Sequence, residues 1–190
     1  MTRVVYFTAC TLDGFIADEH DSLDWLFEVP HASGEQGDDG SWDDFIGRIG
    51  PLVMGATTYQ WTLDHHFTEH PEQWQEFYDE RPVWVFSHRD LPGIPGVDVH
   101  HVRGDVAPVY DELVAAADGK DIWIVGGGDL VGQFDDAGLL DEVSLGMTPV
   151  TLGAGRPLLP RRITSHRMRF REARQSGQRV RIVLDIDRPS

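Results

Sequence analysis

A single cysteine, Cys10, in 190 residues excludes a disulfide within the chain and a zinc cluster built on thiolates. It ends the apolar first strand expected over Arg3 to Cys10, in which Val4-Val5-Tyr6-Phe7 is continuous apolar, and reads as core rather than as a nucleophile. No apolar stretch approaches the ~20 residues that a membrane span requires, and no short apolar leader follows Met1. The expected protein therefore keeps away from membranes and sits in the cytoplasm. No Gly-Lys-Ser or Gly-Lys-Thr occurs, which makes a phosphate-loop ATPase a poor fit. Basic residues are few, 16 against 32 acidic ones, and the net charge of −16 argues against nucleic acid as a partner. No linker and no long repeat divides the chain, so residues 1–190 are expected to form one domain.

The little positive charge there is lies at one end. Residues 1–155 hold 6 basic and 29 acidic side chains, a balance of −23, whereas residues 156–190 hold 10 basic and 3 acidic, a balance of +7. Pairing within the chain or between subunits would use that asymmetry, and a solvated arginine-rich strand face is the simpler reading.

What is present is organised around Asp121-Ile-Trp-Ile-Val-Gly-Gly-Gly-Asp-Leu-Val-Gly-Gln-Phe134. Ile122 to Val125 is too short for a helix and is typical of a buried strand. Three glycines follow, Gly126, Gly127 and Gly128, and then a helical segment from about Asp129 to Ala137. A strand, a glycine turn and a helix start let backbone approach a phosphate and aim free N–H groups at it. A turn that needs glycine only for positive φ is the alternative. The spacing Gly126-x-Gly128-x-x-x-Gly132 fits the dinucleotide fingerprint loosely and comes late in the chain, so a Rossmann domain is a poor match.

The same logic recurs on a smaller scale. Pro51 to Gly55 reads as a strand, and Ala56-Thr57-Thr58-Tyr59 opens a helix whose hydroxyls suit an anionic or ribose-bearing ligand, or cap the helix and no more. Val83 to Phe86 is a third strand closed by Ser87, His88 and Arg89, where a guanidinium could meet a phosphate. His66 and His70 have the spacing of two ligands on a helix, but the polar, proline-bounded surroundings favour an exposed loop, and no metal is expected. Residues 30–40 read as a loop, possible lid material by composition, and Ser41 opens a helix with Trp42, Phe45, Ile46 and Ile49 on one face. Val97 to Val102 alternates like an edge strand, and Asp105 to Ala117 reads as a helix that Gly119 stops. Gly138 follows the last helix as a cap, Val143 to Val150 is a strand, and residues 151–159 form a glycine-proline loop. Met168, Phe170, Val180, Ile182, Leu184 and Ile186 alternate with charged residues around Ser176-Gly177, the pattern of an antiparallel hairpin.

Taken in order, Leu12-Asp13-Gly14-Phe15-Ile16-Ala17, Val53 to Tyr59, Ile124 to Gly128, Leu140 to Val143 and Pro149 to Gly155 resemble the dihydrofolate-reductase-like proteins. They are most similar to the reductase domain of the bifunctional riboflavin-biosynthesis deaminase/reductase. The resemblance implies an α/β fold of three layers: a mixed, mostly parallel central sheet, helices on both faces and an antiparallel C-terminal hairpin. It also implies NADPH along the sheet's carboxyl edge. Gly126, Gly127, Gly128, Asp129 and Leu130, with Gly55, Thr57 and Thr58, would meet the pyrophosphate. Gly14, Ile16 and Ala17 would border the nicotinamide, and Ser87, His88 and Arg89 the adenosine end. A cis peptide between Gly126 and Gly127 is part of what the resemblance implies. Where an arginine often follows the strand-end glycine this chain has Ala56, so reading of the cofactor's 2′-phosphate falls to Arg89 and His88.

Catalytic candidates are Asp13, which could equally be the former of its Asp-Gly turn, and Asp39, with Asp43 and Asp44 as rivals. The implied activity is hydride transfer from NADPH to a small unsaturated nitrogen heterocycle or imine. A pterin reductase and a nucleotide-binding protein without turnover remain the alternatives. Riboflavin-type reductases are usually dimeric, and the alternating C-terminal strands would supply a homodimer edge.

Overall fold

The computed structural model describes residues 1–28, 41–67, 70 and 73–189. In chain order its main elements are β1 (Val4–Thr11), β2 (Phe15–Ala17), α1 (Asp24–Glu28), α2 (Ser41–Gly47), β3 (Ile49–Gly55), α3 (Ala56–Thr62), α4 (Gln73–Tyr78), β4 (Val83–Phe86), β5 (Val99–Val102), α5 (Tyr110–Ala117), β6 (Asp121–Gly126), α6 (Gly128–Asp136), β7 (Glu142–Thr148), β8 (Arg156–Pro157), β9 (Met168–Ser176) and β10 (Arg179–Ile186). Eight strands form one sheet in the order β5-β4-β3-β6-β1-β7-β10-β9, and β2 pairs with β8 in a small separate ribbon. β1 and β3 to β7 run parallel, and the C-terminal β9–β10 hairpin joins antiparallel on β7.

Strand alternation divides the core in two. Val4, Tyr6, Val53, Ile122 and Ile124 face one side, where Leu113 and Ala117 of α5 and Leu130, Val131 and Phe134 of α6 cover them. Val5, Leu52, Met54, Val83, Val85 and Trp123 face the other, under Phe45 of α2, Tyr59 of α3 and Trp74 of α4. The expected mixed sheet with helices on both faces and a terminal hairpin is present.

Several local expectations change. Ile49 belongs to β3 rather than to the helical face of α2, because Asp121 N donates to Arg48 O and starts the β3–β6 pairing there. The segment from Leu63 to Phe67 continues α3 as a π-helical turn rather than an exposed loop, with Leu63 and Phe67 buried. α5 is entered through a 3₁₀ turn, Ala107–Val109, with no side-chain cap, so Asp105 does not cap it. The basic C-terminal segment is not a bare solvated face either. Arg156, Arg161, Arg167, Arg171 and Arg188 each pair with an aspartate or glutamate of the same chain.

Candidate functional site

β3 and β6 lie side by side, and both end in a glycine from which a helix leaves at the carboxyl edge. The two helix starts therefore meet. In α6 the first backbone bond runs from Val131 N to Gly127 O at 3.1 Å, and no side chain caps the helix. The amides of Gly128, Asp129 and Leu130 thus have no acceptor inside the helix and lie where its dipole is positive. Gly127 has φ +102°, a conformation that a β-carbon would strain. The peptide bond between Gly126 and Gly127 is trans, as are all bonds among the described residues, which corrects the expected cis linkage.

A cleft of about 410 Å³ opens beside this junction. Thr57, Thr58 and Trp61 of α3 form one wall, Gly126 to Asp129 another, and Ile16, Ala17, Asp21, Arg156 and Pro157 the side nearest β1. Arg156 donates Nε to Asp21 Oδ1 at 2.5 Å and Nη2 to Asp21 Oδ2 at 3.1 Å, tying the two loops that border the cleft. The loop ending at Pro160 lies tightly on the first turn of α6. A β-carbon on Gly128 would collide with the carbonyl oxygens of Pro157 and Leu158. Two smaller hollows adjoin the cleft: one of about 270 Å³ between Arg89, Gln60, Asp64 and Trp61, and one of about 200 Å³ between Ala56, Phe86, Leu130 and Gln133. Thr57 lines all three and is exposed.

The structure brings together Ile16, Ala17, Thr57, Thr58, Gly126, Gly127, Gly128 and Asp129 in the main cleft, and places Gly55 and Leu130 in the smaller hollow that shares Thr57 and Thr58. Arg89 borders the other hollow. Ser87 turns inward on its own loop, accepting from Arg89 N at 2.9 Å and donating to Arg89 O at 3.0 Å, and His88 is exposed. Gly14, at φ +84°, does not line the main cleft, and its carbonyl accepts from Leu158 N at 2.9 Å.

Asp13 does not line the cleft. Its carboxylate accepts from Thr11 Oγ1 at 2.6 Å and from the amides of Leu152 and Gly153 at 3.0 and 2.8 Å, fastening the first turn to the 149–155 loop. The Thr11 hydroxyl, then the Gly153 amide, hold its pKa below the ordinary aspartate value. The position performs the turn-and-staple role that Asp-Gly suggests. Asp39 and the 30–40 loop lie outside the described residues, as does the side chain of His66. Asp43 and Asp44 are exposed in the first turn of α2. Among the described residues no group of three or more histidine, cysteine, aspartate or glutamate side chains is placed to hold a metal, and no helix is long and apolar enough to cross a membrane.

Trp61, Asp21 and Arg156 were not legible as cleft residues. Trp61 follows Thr57 by one helical turn, a spacing that puts both on one face, and it stacks on His65 at 4.4 Å. Asp21 and Arg156 are 135 residues apart and meet only through the β2–β8 ribbon.

Residues 64–182 match the RibD C-terminal domain family. The chain is 30% identical over 185 residues to the uncharacterized protein YwjB of Bacillus subtilis strain 168, covering 95% of each. A candidate riboflavin biosynthesis protein from Shewanella sp. PV-4 has the same fold, with a TM-score of 0.77 at 24% identity over 98% of this chain and 100% of that one. Dihydrofolate reductase of Enterococcus faecalis, in complex with NADP(H) and RAB-propyl, superposes with a TM-score of 0.57 at 15% identity, covering 99% of this chain and 97% of that one. The architecture is dihydrofolate-reductase-like.

Proposed function

Because the chain belongs to the family of the RibD C-terminal domain, we propose that it is an NADPH-dependent reductase that transfers hydride to a small unsaturated nitrogen heterocycle or imine. One observation carries this reading: the uncapped N-terminus of α6 and the hydroxyl-bearing start of α3 converge on a glycine-lined cleft continuous, through Thr57, with two further hollows. That string of spaces suits an extended dinucleotide, with its pyrophosphate against Gly127, Gly128, Asp129, Thr57 and Thr58. When bound, the nicotinamide would supply the hydride. The chain's own part is to bind, orient and dry the reacting groups.

Ile16, Ala17 and Thr8 give that end of the cleft an apolar wall, and the Arg156–Asp21 pair closes its rim. Hydride adds to the carbon of a C=N bond, the bonding pair moves to nitrogen, and nitrogen takes up a proton from solvent or a donor on the substrate side. The carboxylate of Asp129 is held ionised by hydrogen bonds from Gln133 and then Arg161, so it is an acceptor rather than a source of that proton. For the 2′-phosphate we assign Arg89, which faces the hollow next to Thr57. We also assign a homodimer paired along β9, the outermost strand, whose Phe170 is 73% exposed.

Steady-state oxidation of NADPH, followed by absorbance with pterin and aminopyrimidine substrates, tests the activity. Turnover with either supports a reductase. Tight NADPH binding without turnover of any such substrate favours the nucleotide-binding alternative.

A further inference from the structure

Gly132, the last glycine of the 121–134 stretch, faces an arginine. Asp129, Gly132 and Asp136 stand three and four residues apart on α6, so they share one helix face with the glycine between two carboxylates. Gly132 is buried there beneath Arg161: a β-carbon on it would lie 2.7 Å from Arg161 Cζ and 2.8 Å from both Cγ and Nε. Nη1 of that guanidinium stands 3.0 Å from Asp129 Oδ1, and Nε donates to Asp136 Oδ2 at 2.8 Å. Glycine is a poor helix former compared with alanine, and here it opens a socket for a flat guanidinium.

The socket matters because of where Asp129 lies. Among the described residues that line the main cleft, the charged ones are Asp21, Asp129 and Arg156, in a chain of net charge −16. Arg156 already pairs with Asp21. Asp129 follows Gly128 in the first turn of α6, with its side chain 69% exposed. A bare carboxylate there would set a negative charge among the very amides that an anion needs. Arg161 answers that charge from the loop bordering the cleft, where its Nη1 also donates to Pro160 O at 2.9 Å, while Gln133 Nε2 donates to Asp129 Oδ2 at 3.0 Å. Both oxygens of Asp129 thus have partners on the chain itself.

Resting on the reading of the cleft as a dinucleotide site, we infer that Arg161 is a positioning residue for the cofactor: seated in the Gly132 socket, it neutralises Asp129 and so lets the start of α6 accept a pyrophosphate. It acts through Asp129 rather than by touching the phosphates. Gly132 serves the same end, because a side chain there would lift the guanidinium away from the carboxylate.

The test is calorimetric titration of the intact chain with NADP⁺ and, separately, with inorganic pyrophosphate, at low and at moderate salt. Arg161→Gln should weaken NADP⁺ about fivefold at low salt by unmasking the Asp129 charge, and less at moderate salt. Asp129→Asn should bind at least as tightly as wild type, and the double variant Arg161→Gln with Asp129→Asn should return to within about twofold of wild type. Gly132→Ala gains helix propensity, so it should keep its thermal stability yet lose affinity as Arg161→Gln does. A double variant as weak as Arg161→Gln alone would show that the arginine meets the phosphates itself or only supports the fold, and would overturn the inference. Unchanged affinity in a folded Arg161→Gln protein would overturn it too, and unchanged affinity in Gly132→Ala would remove the socket from it. Wild-type protein that binds pyrophosphate but not NADP⁺ would instead strike the cofactor reading, and the same variants titrated with pyrophosphate would still decide the inference. Binding of neither probe would overturn both.

Discussion

Thr58 and Gly126 are locked together: a β-carbon on Gly126 would stand 2.7 Å from Thr58 Oγ1 and 3.0 Å from Thr58 Cγ2. The start of α3 and the end of β6 therefore share one space, and Gly126 has no room for a β-carbon while the Thr58 side chain stands there. Gly126→Ala should lower stability by roughly 1–3 kcal/mol through overpacking and weaken dinucleotide binding by pushing the two helix starts apart. Removing the opposing atoms with Thr58→Ala should restore most of the stability in the double variant. Urea denaturation of the four proteins reads this directly, and simple additivity would show that the two residues do not share the space.

How much of this junction could be read from sequence depends on range. Ile122 to Val125 followed by three glycines announces a buried strand, a turn and a helix start, since all the signals are local. The C-terminal hairpin was equally visible in its alternation, yet its burial was not. Val183 is 1% exposed although the alternating set lies one residue out of phase, and Val180 is 37% exposed. β10 is an inner strand with both faces partly covered, and the pairing with β9 slips between Val183 and Leu184. Asp13 carried an ambiguity that only its partners resolve, because Leu152 and Gly153 are far away in the chain. α4 left no periodic signal in its six residues, and Trp74 is buried by contacts with Phe67 and Tyr78.

At the opposite edge of the sheet Glu142, only 1% exposed in its side chain, accepts from Arg48 at 2.6 Å and Arg171 at 2.7 Å, with Arg3 at 3.1 Å. Burial acts to raise its pKa, but the hydrogen bonds and charges of Arg48 and Arg171 outweigh it and hold the carboxyl below its ordinary value of 4.5. A depressed folded value means that the group stabilises the fold fully above 4.5 and loses that contribution as pH falls through the folded value. Glu142→Gln should cost roughly 1–3 kcal/mol near neutral pH by removing the buried charge that three partly exposed guanidinium groups share. The gap between variant and wild type should narrow in acid. A gap that is constant from pH 7 to pH 3 would contradict the charge network as its source.

Arg89 is exposed and borders the hollow beside Thr57. Arg89→Ala should lower affinity for NADPH about five- to tenfold, with little change for NADH. Fluorescence titration with both cofactors measures the ratio. Equal losses would show that Arg89 does not meet the 2′-phosphate.

A dimer paired along β9 would bury Phe170. Light scattering at micromolar concentration should give twice the 21.4 kDa mass of the chain, and Phe170→Glu should give the single mass while the far-ultraviolet spectrum stays unchanged. A monomeric wild-type protein, or a dimer indifferent to Phe170→Glu, would place the interface elsewhere or remove it.

The central claim is that a dinucleotide's pyrophosphate lies against the paired helix starts, and Thr57 is the residue through which to ask. It is exposed, borders every part of the cleft system, and stands in the first turn of α3, where an acidic side chain is tolerated by the helix dipole. Calorimetric titration of wild-type protein with NADPH should show one site per chain, and Thr57→Glu, folded and equally stable, should lose at least about tenfold in affinity through repulsion of the phosphates. Unchanged NADPH affinity in a folded Thr57→Glu protein would contradict the account.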